Sequence, residues 1–169
     1  TEAAEIGTEK VIKEHSTIGI VVTTDGSIGD IPRSEYVEAE KTVIEELNTV
    51  GKPYIVLLNS VHPMLPDTEA LADKLKEEYN VPVMPISIEA MQERDMYNIL
   101  KEALYEFPIE QIKVNMPEWI AILAPDHYLK KEYISKIKEA ITEVNKLKDI
   151  DKINNNFTES EYIAKSYIS

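Results

Sequence analysis

The sequence predicts an α/β fold in which parallel strands are covered by helices, followed from Pro108 by the start of a second, α+β domain. Three short apolar runs are each followed by a polar loop and then by a segment with helical periodicity. This alternation ends at Pro108. Strand–helix alternation at such spacing favours a parallel sheet with helices on its faces.

The first strand–loop–helix unit spans residues 16–51. Ser16 to Thr24 is rich in β-branched residues and almost continuously apolar, which predicts a strand buried on both faces. Two glycines and a proline punctuate the loop from Asp25 to Pro32. Apolar residues at helical spacing then predict a helix from about Ser34 to Val50, and Gly51 is typical of a helix end.

The second and third units repeat this arrangement. The second has a strand from Pro53 to Leu58 and a helix from Thr68 to Tyr79, with Asp67 expected as its N-cap. The third has a strand from Val81 to Ile86 and a helix from about Glu89 to Phe107. Apolar residues predict the buried face of that last helix: Met96, Ile99, Leu100, Ala103, Leu104 and Phe107.

The remainder of the chain has a different pattern. Alternating residues in 109–115 and an apolar run in 119–123 indicate a hairpin or an antiparallel pair. A long charged helix is expected from about His127 to Lys148. Thr158 and Glu161 suggest a capping box that opens a last short helix.

Composition excludes several classes of protein. A net charge of −13 argues against a nucleic-acid binder or a binder of anionic membranes, since both need clustered lysine and arginine. The absence of cysteine excludes disulfides and thiolate chemistry, and it favours a cytoplasmic setting. The apolar runs are too short to cross a bilayer, and the acidic first residues do not form a signal peptide.

Polar residues follow all three predicted strands. In open parallel sheets, ligands bind beyond the carboxyl ends of the strands, so these residues are expected to share one rim. The candidate ligand-binding residues are Thr24, Asp25, Asn59, Ser60, His62 and Ser87.

The second of these strand ends has the form of a nucleotide-base reader that lacks its guanine-specific residue. In P-loop GTPases this strand ends in Asn-Lys-x-Asp, whose Asp accepts two hydrogen bonds from guanine. Here Asn59 is present, but Ser60 replaces the Lys and His62 replaces the Asp. A neutral imidazole cannot offer two parallel acceptors, so guanine is not the expected purine.

The sequence lacks the motifs that are typical of triphosphate-cleaving sites and of metal sites. The sequence contains no Gly-x-x-x-x-Gly-Lys-Ser/Thr loop, and no Gly-x-Gly-x-x-Gly follows a strand. The three histidines are widely separated, so no metal site is expected. We therefore predict no catalytic residue in this chain, and a triphosphate is not expected to be bound and cleaved by it alone.

Several runs of sequence closely resemble the stage IV sporulation protein A family of spore-forming Firmicutes. The resemblance covers nearly the whole chain and is strongest before Pro108. It is carried by Ala3–Thr8, Glu14–Gly19, Thr23–Ile31, Val43–Leu47, Val50–Pro53, Asn59–Val61 and Glu102–Pro108.

The resemblance implies a spore-coat morphogenetic ATPase related to translation-factor GTPases. Such a protein hydrolyses ATP, with Mg²⁺, to drive its own polymerisation into the basement layer of the spore coat. The implied partners are other copies and other proteins of the coat and forespore surface, in the cytoplasm of the mother cell. Residues 1–107 would be the second half of the ATPase domain, without its Walker A loop, and residues 108–169 the beginning of the middle domain.

The resemblance also implies roles for the rim residues. Asn59, Ser60 and His62 would form the adenine-adapted base loop, and Ser87 would lie at the next strand end. Asn59 would tie the base loop to a phosphate loop supplied from elsewhere, so the chain alone would be inactive. The apolar edge from Ile18 to Val22 would then pair with another strand or associate with a second copy.

Two other interpretations stay open. The chain could be a structural assembly module whose contacts build a polymer without binding nucleotide. It could also be a receiver-like or flavodoxin-like regulatory domain, although no convincing set of acidic residues and phosphorylatable Asp is present.

Overall fold

The chain divides into two compact units at Glu106 and Phe107. The structure is a computed structural model that describes residues 14–142, 144–150 and 153. The first unit extends to Glu106 and the second begins at Phe107. The expected last helix with Thr158 and Glu161 lies outside the described residues.

A three-stranded parallel sheet organises the first unit. Its strands are β1 (Gly19–Thr24), β2 (Tyr54–Asn59) and β3 (Val83–Ile86), in the order β1-β2-β3. Each of them precedes a helix: α1 (Arg33–Val50), α2 (Pro66–Tyr79) and α3 (Glu93–Tyr105). The predicted α/β class, with parallel strands covered by helices, is confirmed.

Helices cover both faces of the central strand, which gives three layers. Because side chains alternate along a strand, Tyr54 and Val56 face α1, where Ile44 and Leu47 pack against them. Leu58 lies on the same face and packs against α2. On the opposite face, Ile55 and Leu57 pack with residues of α3.

β1 is buried on one face only, so the prediction of a strand buried on both faces was wrong for it. Val21 is buried, but Ile20 is 46% exposed and Val22 is 56% exposed. In the described part of the chain β1 is an edge strand, and the cluster around α3 reaches Ile18 but includes no residue of β1. β2 is the strand that is buried on both faces, because its residues Tyr54–Leu58 are all buried.

Two features of the helices differ from the sequence prediction, and a third agrees with it. In α3 only Ile99 and Ala103 are buried, while Met96, Leu100 and Leu104 are more than half exposed. Asp67 is not the N-cap of α2: Leu65 occupies that position, and Pro66 opens the helix. Gly51 does end α1, in the left-handed conformation that glycine adopts without strain.

The described part of the second unit is mostly helical. It contains α4 (Glu118–Ala121), α5 (Tyr128–Thr142) and a 3-10 turn at Leu147–Asp149. The expected hairpin was wrong, since residues 109–116 pair with no strand and 118–121 form a helical turn. One antiparallel bridge joins Pro108 to Lys146. Within the described ranges, no helix is both long enough and apolar enough to span a membrane.

Candidate functional site

The carboxyl ends of the three strands lie side by side, as predicted. Thr24 pairs with Asn59 and Asn59 with Ile86 in the register of the sheet. The backbone N–H of Ser60 donates to the carbonyl of Ile86 at 2.9 Å, which continues the ladder past the end of β2. The loops that follow β1, β2 and β3, here called loops 1, 2 and 3, therefore start from one rim.

Asp25 joins loop 1 to the start of α2. Its Oδ1 accepts hydrogen bonds from the backbone N–H of Ser27 at 2.9 Å and from the Ser27 hydroxyl at 2.5 Å. Its Oδ2 accepts from the hydroxyl of Thr68, at 3.2 Å. The carboxylate of Asp25 is thus committed to holding the loops together.

Ser27 joins loop 1 to loop 2. The Ser27 hydroxyl accepts a hydrogen bond from the backbone N–H of Val61 at 2.9 Å and lies 3.5 Å from the Ser60 hydroxyl. Hydrogen bonds through Ser27 therefore hold loops 1 and 2 together.

Ser60 is fully buried at the first turn of loop 2. Its hydroxyl accepts from the backbone N–H of His62 at 3.0 Å. In this arrangement the side chain of Ser60 sets the path of the chain between β2 and His62. Its expected contact with a base stays a prediction.

Asn59 joins loop 2 to loop 3. Its side-chain Oδ1 accepts a hydrogen bond from the backbone N–H of Ile88 at 3.0 Å. The resemblance implied a tie to a phosphate loop, whereas the contact present here is with loop 3.

The remaining predicted residues differ in accessibility. His62 is exposed and Ser87 is half-buried, so both can meet a ligand. Thr24 is buried, and its hydroxyl accepts from the backbone N–H of Gly26 at 3.1 Å. The structure thus brings the six predicted residues to one rim, and their binding roles stay predictions.

Sequence reasoning missed a buried ionic network below this rim. The Arg33 guanidinium donates to both carboxylate oxygens of Glu40, at 2.6 and 2.7 Å. Arg33 also donates to the hydroxyl of Thr23, at 2.9 Å. The phenol of Tyr79 donates to Glu40 Oε1 at 2.7 Å, so β1, α1 and α2 meet at one carboxylate.

The carboxylates of the half-buried Asp25 and the buried Glu40 are both held ionised. Burial raises the pKa of Asp25, but hydrogen bonds from Ser27, Ser60 and Thr68 outweigh it and leave the pKa below its ordinary value. Burial also raises the pKa of Glu40, and hydrogen bonds from Arg33, Thr23 and Tyr79 again produce a net lowering. Burial, followed by the bond to Glu40, raises the pKa of Tyr79.

The chemistry of the rim suits an uncharged ligand group. Residues 25–32, 60–65 and 87–92 include no lysine or arginine. Among the described residues, no group of three or more histidine, cysteine, aspartate or glutamate side chains is placed to hold a metal. The loops therefore offer hydrogen-bonding groups and apolar contacts rather than a phosphate cradle.

Two family profiles together match the whole chain. The profile described as "Stage IV sporulation protein A, ATPase domain" matches residues 1–108. The profile described as "Stage IV sporulation protein A, middle domain" matches residues 109–169. Among solved structures, none matches the chain.

Curated relatives agree with the profiles. The chain is 52% identical over 165 residues to stage IV sporulation protein A of Bacillus subtilis, which covers 98% of this chain and 34% of the relative. It is 48% identical over 168 residues to that of Bacillus anthracis, covering 99% of this chain and 34% of the relative. For that of Clostridioides difficile, identity is 44% over 162 residues, covering 96% of this chain and 33% of the relative.

The chain therefore spans about a third of the length of the curated relatives that it matches. On the profile matches and on these identities, it belongs to the stage IV sporulation protein A family.

Proposed function

We propose that this chain supplies the base-binding side of an adenine-nucleotide site in a self-assembling ATPase of the spore coat. The observation that carries the proposal is the rim itself. Three loops are bonded to one another through Asp25, Ser27 and Asn59, and they present no cation. A rigid rim without cationic side chains suits a heterocyclic base better than it suits phosphates.

The residues of the rim divide into positioning and contacting groups. Asn59 and Ser60 position the loops, since their side chains are bonded to backbone N–H groups of loops 3 and 2. Thr24 and Asp25 hold the start of loop 1. His62 and Ser87 are accessible and would contact the base. The replacement of an acidic residue by His62 accounts for a preference for adenine over guanine.

Phosphates and Mg²⁺ would be held by residues other than these loops. In this proposal residues 1–107 form the second half of the ATPase domain and residues 108–169 the beginning of the middle domain. The catalytic groups lie outside this chain, so the chain alone is expected not to hydrolyse ATP. In its cellular setting the protein would assemble with copies of itself and with other coat proteins at the forespore surface, within the mother cell cytoplasm.

Replacing His62 with aspartate is expected to lower the preference for ATP over GTP at least about tenfold, because a carboxylate can accept both guanine hydrogen bonds. The variant is made in a chimera in which this chain replaces the matched 165 residues of the Bacillus subtilis relative. Nucleotide affinities are measured by competition binding. Ser60 is left unchanged, because a lysine cannot be placed at a fully buried position without opening the loop.

The matched control is His62→Asn, which removes the imidazole without adding a carboxylate. It is expected to leave the nucleotide preference within about twofold of the parent, since a carboxamide cannot supply two acceptors. An unchanged preference in His62→Asp would count against the base-reading role of loop 2.

A structural assembly module that binds no nucleotide is the second candidate. It is favoured by exposed apolar side chains on loops 1 and 2, including Met64 at 79% exposure, which are typical of a protein contact. Under this alternative the chimera would assemble equally well with and without ATP. Assembly that depends on ATP favours the first candidate.

A further inference from the structure

Charge is distributed very unevenly between the two units. Residues 1–106 contain 9 basic and 21 acidic residues, whereas residues 107–169 contain 9 basic and 10 acidic residues. Nearly all of the net charge of −13 thus belongs to the first unit. The second unit is close to neutral, so the acidic first unit of another molecule repels it much less than it repels another first unit.

The first unit has an apolar patch with an acidic border on its rim. Ile28 and Val61 are exposed, and Ser27, the residue before Ile28, accepts a hydrogen bond from the backbone N–H of Val61. Met64 and Leu65 extend the apolar surface along loop 2. We call this surface the rim patch, and its exposed acidic border consists of Asp30, Asp67 and Glu69.

No positive side chain interrupts this patch. Residues 16–32 and 53–73, which supply all of it, include no lysine or arginine. The contact of a rim patch with another rim patch would therefore bring acidic borders together. Such a symmetric pairing is unfavourable, and the patch calls for a partner surface with positive charge.

The second unit carries a surface with the complementary properties. Tyr128, Lys131, Ser135 and Lys138 recur at helical spacing on α5 and are all exposed. Two acidic residues also lie on α5: Glu139 is paired with Lys136 at 3.1 Å, and Glu132 is half-buried. The exposed stripe of α5 is thus positively charged.

Exposed apolar residues lie in and directly after α4, which is held against α5. The ammonium of Lys130 donates to the carbonyls of Ala121 and Leu123, both at 2.9 Å, and so fixes the end of α4 against α5. Between these two anchored residues, Ile122 is 84% exposed, and Trp119 is also exposed. We call the α5 stripe together with Trp119 and Ile122 the lysine face.

We propose that the rim patch of one molecule binds the lysine face of a second copy, in a head-to-tail contact. Apolar side chains on both surfaces supply the buried area, and the acidic border meets Lys131 and Lys138. A contact between two different surfaces leaves one of each free at the ends, so it continues into an open chain or, where the rotation closes, into a ring. The inference rests on the proposed self-assembly, and because Val61 and Met64 flank His62, a second copy on the rim patch would compete with a base for loop 2.

The test uses the 169-residue chain without nucleotide, in sedimentation velocity over a concentration series at low and high salt. We expect association that weakens as salt is raised. The rim variant, Asp30→Lys with Asp67→Lys, and the face variant, Lys131→Glu with Lys138→Glu, should each associate at least about tenfold more weakly. All four positions are exposed, so the fold is expected to survive, which circular dichroism checks.

Mixing the two variants gives the sharpest result. The face variant retains its rim patch and the rim variant retains its lysine face, and the two charge-reversed surfaces are also complementary to each other, so an equimolar mixture should recover the association that each variant loses alone. A mixture that stays monomeric, or a parent chain that is monomeric throughout, overturns the proposal. His62→Asp tests base recognition separately, so failure of either claim is recognisable.

Two control variants separate this contact from an effect of net charge and from pairing between sheet edges. Glu46→Lys with Glu77→Lys makes the same change in net charge as the rim variant, at exposed positions on α1 and α2. It should associate like the parent chain. Ile20→Lys with Val22→Lys places charges on β1, the edge strand of the described sheet, and should also associate like the parent. Loss of association in the edge variant would show that sheet pairing holds the copies together and would overturn the head-to-tail contact.

Discussion

Replacing Glu40 with alanine is expected to lower the free energy of unfolding by about 3 kcal/mol, the lower end of the effect of breaking a buried ion pair. Glu40 is 5% exposed and receives two hydrogen bonds from Arg33 and one from Tyr79. Its removal leaves the guanidinium without a counter-charge below the rim. Urea unfolding followed by far-UV circular dichroism measures the change.

Glu45→Ala is the matched control, because Glu45 is an exposed glutamate on the same helix. It should change the free energy of unfolding by less than about 0.5 kcal/mol. The double variant Arg33→Met with Glu40→Leu should recover much of the loss, since an apolar pair of similar size needs no counter-charge. A Glu40→Ala variant as stable as the parent would refute the structural role of the network.

The ion pair between Arg33 and Glu40 also determines how the free energy of unfolding depends on pH. The pKa of Glu40 in the folded chain lies below its ordinary value of 4.5. The stabilisation is therefore complete above about pH 4.5 and is lost as the pH falls from there towards the folded pKa. Glu40→Gln cannot titrate, so its unfolding free energy should fall less steeply than that of the parent below this pH.

Replacing Leu58 with alanine is expected to lower the free energy of unfolding by about 3 kcal/mol, the usual size for a leucine in a packed core. Leu58 is fully buried on the central strand, where it packs against Ala72 and Leu75 of α2. Helices cover both faces of β2, so the cavity cannot close by a shift of one layer. Urea unfolding again provides the measurement.

Leu104→Ala is the control for the same chemical change at an exposed position. Leu104 is 56% exposed on α3, so its truncation should change the free energy of unfolding by less than about 1 kcal/mol. Equal effects of the two substitutions would mean that Leu58 is not part of the core.

The sequence predicted the order and type of the elements in the first unit, because each strand and helix has its own periodicity. It could not predict which strand lies at the edge. Val22 and Val56 occupy similar apolar runs, yet Val22 is exposed and Val56 is fully buried. The difference arises from strand order, which residue patterns do not encode. The apolar residues Met96 and Leu100 of α3 were also expected to be buried, but α3 packs on the sheet through Ile99 and Ala103 and leaves them exposed.

The second unit was harder to predict, because a short run of residues is compatible with more than one type of secondary structure. Residues 118–121 were expected to join a strand but form the helical turn α4. Lys130 stabilises this turn through bonds to two carbonyls, and such a contact leaves no periodic signal in the sequence.

At the rim, sequence reasoning located the strand ends but not the bonds between loops. Ser60 was expected to face a base, and it is instead buried beneath the turn that leads to His62. Ser27 and Thr68 were not singled out, although both bind Asp25. The Asp25–Ser27 spacing is typical of a turn in which a side chain accepts a backbone N–H, and it could have indicated part of this network. The bond to Thr68 joins residues 43 positions apart and has no local signature.

The proposal that this rim faces an adenine base is tested most directly by photo-crosslinking. The chimera with the Bacillus subtilis relative is irradiated with 8-azido-ATP, whose reactive group lies on the base, and the labelled peptides are identified by mass spectrometry. We expect the label on loop 2 at residues 60–65 or on loop 3 at residues 87–92, with loss of labelling when ATP competes. Labelling that ATP competes away but that lies only outside this chain would contradict the base-binding role.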